Sequence, residues 1–207
     1  MAMKTWWLYV TAVFFVSMTP GPNMLHVMVQ SIREGAGRVL PTTAGLMSAN
    51  LFCLVASAAG LGALLKASPG LYDVLRYAGV AYLLWLGIKA WRAPVEDAHA
   101  DAPLPVRQTV RARYLTGLAT GLSNPKLIVF AAALFPQFLD VQRPFLPQLA
   151  ILIATFVVIE AFWFSVYALG GRSLAAWLAP AARQRMFNRV TGGVFVAFGA
   201  ALLGSRV

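Results

Sequence analysis

Apolar residues fall in long runs separated by short, mostly basic stretches. Six runs approach or reach the roughly 20 residues needed to cross a hydrocarbon core of about 30 Å: 6–32, 39–65, 71–91, 114–136, 146–170 and 187–203. The second carries no charge. The third holds Asp73 and Arg76 in its first turns, which must snorkel or pair there, and the sixth is short. Lys4 ahead of an apolar stretch imitates a secretory leader. Bulky Met18 is nevertheless followed by Thr-Pro-Gly-Pro and not by an Ala-x-Ala-like site, so the first run is expected to persist as a span. Residues 173–185 mix Leu174, Trp177 and Leu178 with Arg183 and Arg185, which predicts a short anchoring helix on the membrane surface.

Composition supports this reading. Hydrophobic residues make up 59% of the 207 and charged ones 12%, about half the share of a soluble domain, so too few charges exist to cover a solvated surface. Glycine and proline show no period and Cys53 is the single cysteine, lying in an apolar run where it reads as packing; collagen-like, disulfide-stapled and disordered classes fall away. The formal charge of +10 would suggest nucleic acid in a soluble chain, but these bases are spread between the apolar runs, so no nucleic-acid partner is expected.

Lysine and arginine positions also set orientation. Eleven fall on one side: Arg33 and Arg38; Lys89, Arg92, Arg107, Arg111 and Arg113; Arg172, Arg183, Arg185 and Arg189. Five fall on the other, namely Lys4, Lys66, Arg76, Arg143 and Arg206, while Lys126 lies within a run. Both termini are therefore expected outside the cytoplasm. The longest connection, 93–113, with Pro94, Pro103, Pro105, Glu96, Asp97 and Asp101, reads as a solvated cytoplasmic linker between three-span halves at 1–92 and 114–207. An odd number of spans per half makes the second half enter from the opposite face. The expected fold is thus an all-α polytopic membrane protein of six transmembrane helices, arranged as two inverted three-helix repeats.

The halves share an irregularity. Thr19-Pro20-Gly21-Pro22-Asn23 breaks the first span and Ser123-Asn124-Pro125-Lys126 the fourth; Pro22 and Pro125 are 103 positions apart, half the chain. Proline removes a backbone donor and clashes with the preceding turn, so the freed carbonyls need protein, water or ligand, and the breaks should line a cavity. Asn124 is suited to cap a helix starting at Pro125, and Gly21 can take the same place before Pro22. Each break is then expected to present a helix N-terminus, favourable to a carboxylate, near mid-membrane.

Other buried polar residues fit that centre. Asn23, His26 and Gln30 share one helical face, as do Asn50, Cys53 and Ser57. Lys126 and Glu160 are charges at depth and should face the interior. A zwitterion needs a cation for its carboxylate and an acceptor for its ammonium, and these two residues supply one of each. The expected substrate-binding residues are Pro20, Gly21, Pro22, Asn23, Asn50, Asn124, Pro125 and Lys126, with Glu160 and His26 as a proton-coupling or ammonium site. Plainer readings compete: breaks that only kink helices, Glu160 as the counter-ion of Lys126, His26 as an interhelical hydrogen bonder. Gly117 and Gly121 form a small-xxx-small pair for tight packing, and Trp85, Trp91 and Trp177 read as interface anchors.

These motifs resemble the lysine exporter and homoserine/threonine exporter family of bacterial amino-acid efflux proteins. The match lies in Thr19-Pro20-Gly21-Pro22-Asn23, the run from Gly79 through Tyr82 and Trp85 to Gly87, Asn124-Pro125-Lys126 and Pro136-Gln137-Phe138, and extends along nearly the whole chain. In the second span Ala49 precedes Asn50 where the family is richer in glycine. The resemblance implies six helices, export of amino acids or close derivatives, proton antiport and an inner-membrane address. One buried acid balancing one buried base favours a neutral or small polar substrate, homoserine/threonine-like or leucine-like. The expected partners are that amino acid, protons and the lipid bilayer, with a homodimer as a further assembly. The alternative is an exporter or channel for a cation or other small metabolite, but the spans hold no acidic pair for a metal. With His26 and His99 as the only histidines and no His-Glu-x-x-His or Ser-His grouping in the spans, neither an enzyme nor a cofactor is expected.

Overall fold

A computed structural model of the chain describes residues 3–67, 69–94, 108–140 and 143–204. The first apolar run is two helices, α1 (Met3–Met18) and α2 (Pro22–Glu34), meeting at 49° across the proline break. A short 3-10 turn leads to α3 (Leu40–Ala67), followed by α4 (Pro69–Trp91). The fourth run starts as α5 (Val110–Leu122) and bends by 53° into α6 (Pro125–Val129), which widens into a π-turn over Phe130–Leu134 and tightens to a 3-10 turn over Phe135–Phe138. Two further helices, α7 (Phe145–Leu178) and α8 (Ala181–Gly204), close the fold. Most of the expected linker, 95–107, lies outside the described residues, as do the side chains of Asp73 and Arg76.

Among the described residues, the stretches 40–60 of α3 and 145–171 of α7 are each long and apolar enough to cross a membrane, and each bent pair qualifies when taken as one span. The expected surface helix at 173–185 does not form. Instead α7 continues for 34 residues to Leu178, and the chain turns only at Ala179 and Pro180. The reason is local: 173–178 contain good helix formers and no proline, while Pro180 cannot continue the ladder. Gly171 keeps that part of α7 against α2, since a β-carbon there would lie 3.2 Å from the Ile32 side chain.

The helices pair across the halves. α1 and α2 lie on α7, α5 lies on α3, and α4 lies on α8. Each broken rod thus packs on the second rod of the other half, and the third rods pack on one another. Small residues make two of these contacts close: a β-carbon on Gly117 would overlap the Thr42 carbonyl, and one on Gly121 would lie 2.5 Å from the Ala49 β-carbon. Ala49, the residue before Asn50, therefore fills the groove beside Gly121. In the other seam, a β-carbon on Gly192 would lie 2.6 Å from the Gly87 carbonyl oxygen. Gly117→Val is expected to reduce folded, monodisperse protein severely on size-exclusion chromatography in detergent. Gly37→Ala, where nothing stands within 4 Å, should leave the yield unchanged.

The main core wraps α1. Tyr9 is fully buried, with its ring 5.0 Å from Phe138 and 6.1 Å from Phe135, and Leu152 and Phe156 of α7 complete the cluster. This end of the bundle is solidly packed.

Candidate functional site

At the first break α1 runs out of donors for its last carbonyls, because Pro20 and Pro22 carry no N–H. Side chains from the second half fill the need. Lys126 Nζ donates to the Val16 and Thr19 carbonyls, 2.9 Å each, and Tyr167 Oη donates to the Met18 carbonyl at 2.8 Å. Gly21 has extended backbone, φ −124° and ψ −179°, which any residue adopts; its value is space. A β-carbon there would lie 3.2 Å from Lys126 Nζ. Pro22 opens α2, and no side chain caps that N-terminus.

The second break is capped by Asn124, as its sequence predicts. Asn124 Oδ1 accepts the Lys126 N–H at 3.0 Å, so its helix start is capped by its own side chain, and α6 is only five residues long. The cap takes up one of the free N–H groups that a ligand would otherwise meet there. The uncapped N-terminus of the 13-residue α2 is the stronger anion-facing end.

Behind Lys126 lies a cavity of about 20 Å³ lined by Asn23, Asn50, Asn124, Lys126 and Glu160 with apolar neighbours. Glu160 Oε1 accepts from Ser17 Oγ at 3.1 Å, and Lys126 and Glu160 form no direct ion pair within 4 Å. Glu160 Oε2, Asn23 Oδ1, both amide atoms of Asn50 and Asn124 Nδ2 are buried without a protein partner. Such groups are ordinarily satisfied, so this concentration marks a place built for a polar occupant. Asn50's face-mates do not join it: Ser57 Oγ donates to the Ala131 carbonyl in the π-turn, and Cys53 packs against the core. His26 is half-buried, and neither it nor Gln30 lines this cavity.

In front of Lys126 opens a chamber of about 320 Å³, within the size range of small-molecule sites. Both breaks form one wall, from Thr19 to Pro22 and from Asn124 to Lys126; α4 and α8 form the other. Trp85, 51% exposed, borders this second wall. It stacks on Tyr82 at 5.4 Å between centroids and carries Lys89 Nζ 4.8 Å above its ring. Of the residues singled out from sequence, Pro20, Gly21, Pro22, Asn124, Pro125 and Lys126 line the chamber; Asn23, Asn50 and Glu160 meet Asn124 and Lys126 in the smaller cavity. Among the described residues no group of three His, Cys, Asp or Glu side chains could hold a metal.

Residues 14–206 match the LysE type translocator family. The chain belongs to that family. It is 34% identical to the homoserine/homoserine lactone efflux protein of Salmonella typhimurium, over all of this chain and 99% of that one. It is also 34% identical to an uncharacterized membrane protein of Pseudomonas aeruginosa, covering 98% and 96% of the two chains. The leucine efflux protein of an Enterobacter species is 30% identical over 95% and 93%. No solved structure matches.

The translocator is thus a membrane transporter and not an enzyme. Ser17, Tyr82, Lys89, Tyr167 and Thr191 stand at or beside these cavities without a site motif in the sequence to mark them. Helical spacing held part of the signal: Tyr167 lies seven residues, two turns, beyond Glu160, and Tyr82, Trp85 and Lys89 share one face of α4.

Proposed function

We propose that this translocator is a secondary exporter of neutral amino acids and close derivatives across the bacterial inner membrane, working by proton antiport. The observation that carries this reading is the pair of cavities meeting at Lys126 and Asn124. The substrate ammonium enters the small cavity, where Glu160 Oε2 and the Asn23 and Asn50 carbonyl oxygens lack partners. The carboxylate takes Lys126 Nζ and the uncapped start of α2, and the side chain occupies the chamber. The similarity to the homoserine/homoserine lactone and leucine efflux proteins supports this class of substrate.

Exchange of partners drives the cycle. A substrate carboxylate competes with the Val16 and Thr19 carbonyls for Lys126, releasing the strut that joins the two breaks. Glu160 gives up a proton when the ammonium arrives and takes one when it leaves. The cross-paired contacts between halves support a six-span inverted repeat, in which the broken rods rock on their partners to alternate access. The chamber reaches toward the ends of α4 and α8 that carry Lys89 and Arg189, the side the basic-residue count assigns to the cytoplasm. The core around Tyr9 closes the opposite end.

The test is efflux from cells loaded with amino acids as dipeptides. Expression of the chain should accelerate release of homoserine, threonine or leucine above an empty-vector control, and a protonophore should abolish the gain. Release unchanged for every amino acid would refute the reading.

A further inference from the structure

The two breaks account for the charges common to all amino acids, but they leave open how one side chain is told from another. The opposite wall of the chamber offers a distinct set of groups. Thr191 on α8 is 3% exposed and lines the chamber, and its hydroxyl has no partner in the protein. Buried Thr42 of α3 shares this property but lies away from the chamber. Thr11, Thr116 and Thr155 return their hydroxyls to the carbonyl four residues back, at 2.7–2.8 Å, the ordinary fate of a helical threonine. Thr191 does not. Its backbone is held rigidly, because the adjacent Gly192 is where α8 touches α4 at the Gly87 carbonyl.

Around it the wall is aromatic and basic. Tyr82, Trp85 and Phe195 supply apolar surface, Asn188 lies one turn before Thr191, and Lys89 sits over Trp85. The chamber lining contains Lys89 and Lys126 and no carboxylate. A substrate side chain therefore meets one buried hydroxyl, aromatic faces and a positive charge.

We propose that Thr191 and Lys89 are the specificity-determining residues of this exporter: Thr191 hydrogen-bonds an oxygen on the substrate side chain, and Lys89 turns away side chains that are themselves cationic. The favoured class is amino acids whose uncharged side chain bears a hydroxyl, with purely aliphatic ones accepted less well. A buried polar group left unpaired by a substrate lacking that oxygen costs binding, whereas aromatic walls alone discriminate weakly. Lys89 is exposed, so its repulsion of a cationic side chain acts at close range at the chamber's rim and weakens with salt.

This inference rests on the amino-acid export reading, and the measurement is a ratio of initial efflux rates at matched membrane abundance. Thr191→Val removes the hydroxyl at nearly constant shape. The homoserine-to-leucine ratio is expected to fall about tenfold, chiefly through homoserine, and Thr191→Ser should restore it. An unchanged ratio, or an equal fall in both rates, would overturn the assignment of Thr191. Should the valine variant fail to reach the membrane, Thr191→Ser against Thr191→Ala supplies the same comparison. Lys89→Glu is expected to raise lysine efflux about tenfold or more relative to leucine; no gain would overturn the role of Lys89. Failure of the export reading would look different, since the unmodified chain would then release no amino acid, and this proposal would fall with it.

Discussion

Lys126→Met is expected to abolish efflux, with a loss of about 100-fold or more at matched membrane abundance. Methionine keeps the length and apolar stem of the side chain while removing the ammonium, so packing around the stem is largely preserved. Two hydrogen bonds disappear, to the Val16 and Thr19 carbonyls, 2.9 Å each. These oxygens lie at the end of α1 where the prolines offer no backbone replacement, and each unpaired one costs about 1–3 kcal/mol. The same substitution removes the cation that the substrate carboxylate would engage. Lys126→Arg is no rescue. A β-carbon at Gly21 would already stand 3.2 Å from the ammonium, so the bulkier, planar guanidinium lacks room. Gly21→Ala should act through the same contact, pushing the ammonium aside by a few tenths of an ångström and giving a milder loss. Counterflow of radiolabelled homoserine in proteoliposomes checks all three; normal counterflow by Lys126→Met would remove Lys126 from the transport path.

Glu160→Gln is expected to uncouple transport from the proton gradient. Glutamine is nearly the same shape, and its amide oxygen can keep the 3.1 Å hydrogen bond from Ser17. What it cannot do is carry a proton or meet an ammonium with a full charge. In proteoliposomes an imposed pH difference should drive uphill movement by the unmodified protein and none by the variant. Exchange of substrate down its own gradient should persist at a lower rate, because Asn23, Asn50 and Asn124 still line the cavity. The direction of the coupling follows from the cycle: acid on the non-cytoplasmic side favours proton loading of the empty site there, so outward export speeds up as that side becomes more acidic. Wild-type ΔpH-driven efflux by Glu160→Gln would assign Glu160 a structural role, alongside Ser17.

Much of this architecture follows from short-range physics. Apolar runs of sufficient length become helices in a membrane protein because each backbone group must be satisfied within its own segment. Proline breaks that ladder wherever it occurs in a helix interior. The places of the bends at Pro20 to Pro22 and at Pro125, the cap by Asn124 and the close seam at Gly117 and Gly121 are of this local kind, and each was readable in the chain. Local reasoning also misled. A mixed apolar and basic stretch at 173–185 satisfies the pattern of a surface helix, yet a run of helix formers carries α7 on to Leu178, and the rest of the stretch opens α8 after the turn at Pro180.

The sequence by itself determined an all-helical membrane chain, the position of its two breaks, its family and the small set of polar residues buried near them. Tertiary structure alone decided their partners. Lys126 was legible as a buried cation, but not as the donor to carbonyls 107 and 110 residues away, nor was Ser17 legible as the partner of Glu160, 143 residues distant. The second wall of the chamber and the unpaired hydroxyl of Thr191 exist only once α8 lies on α4. The physical reason is range. Helix formation, breakage and capping depend on groups within about four residues of one another, whereas which orphaned carbonyl meets which side chain depends on how whole rods pack.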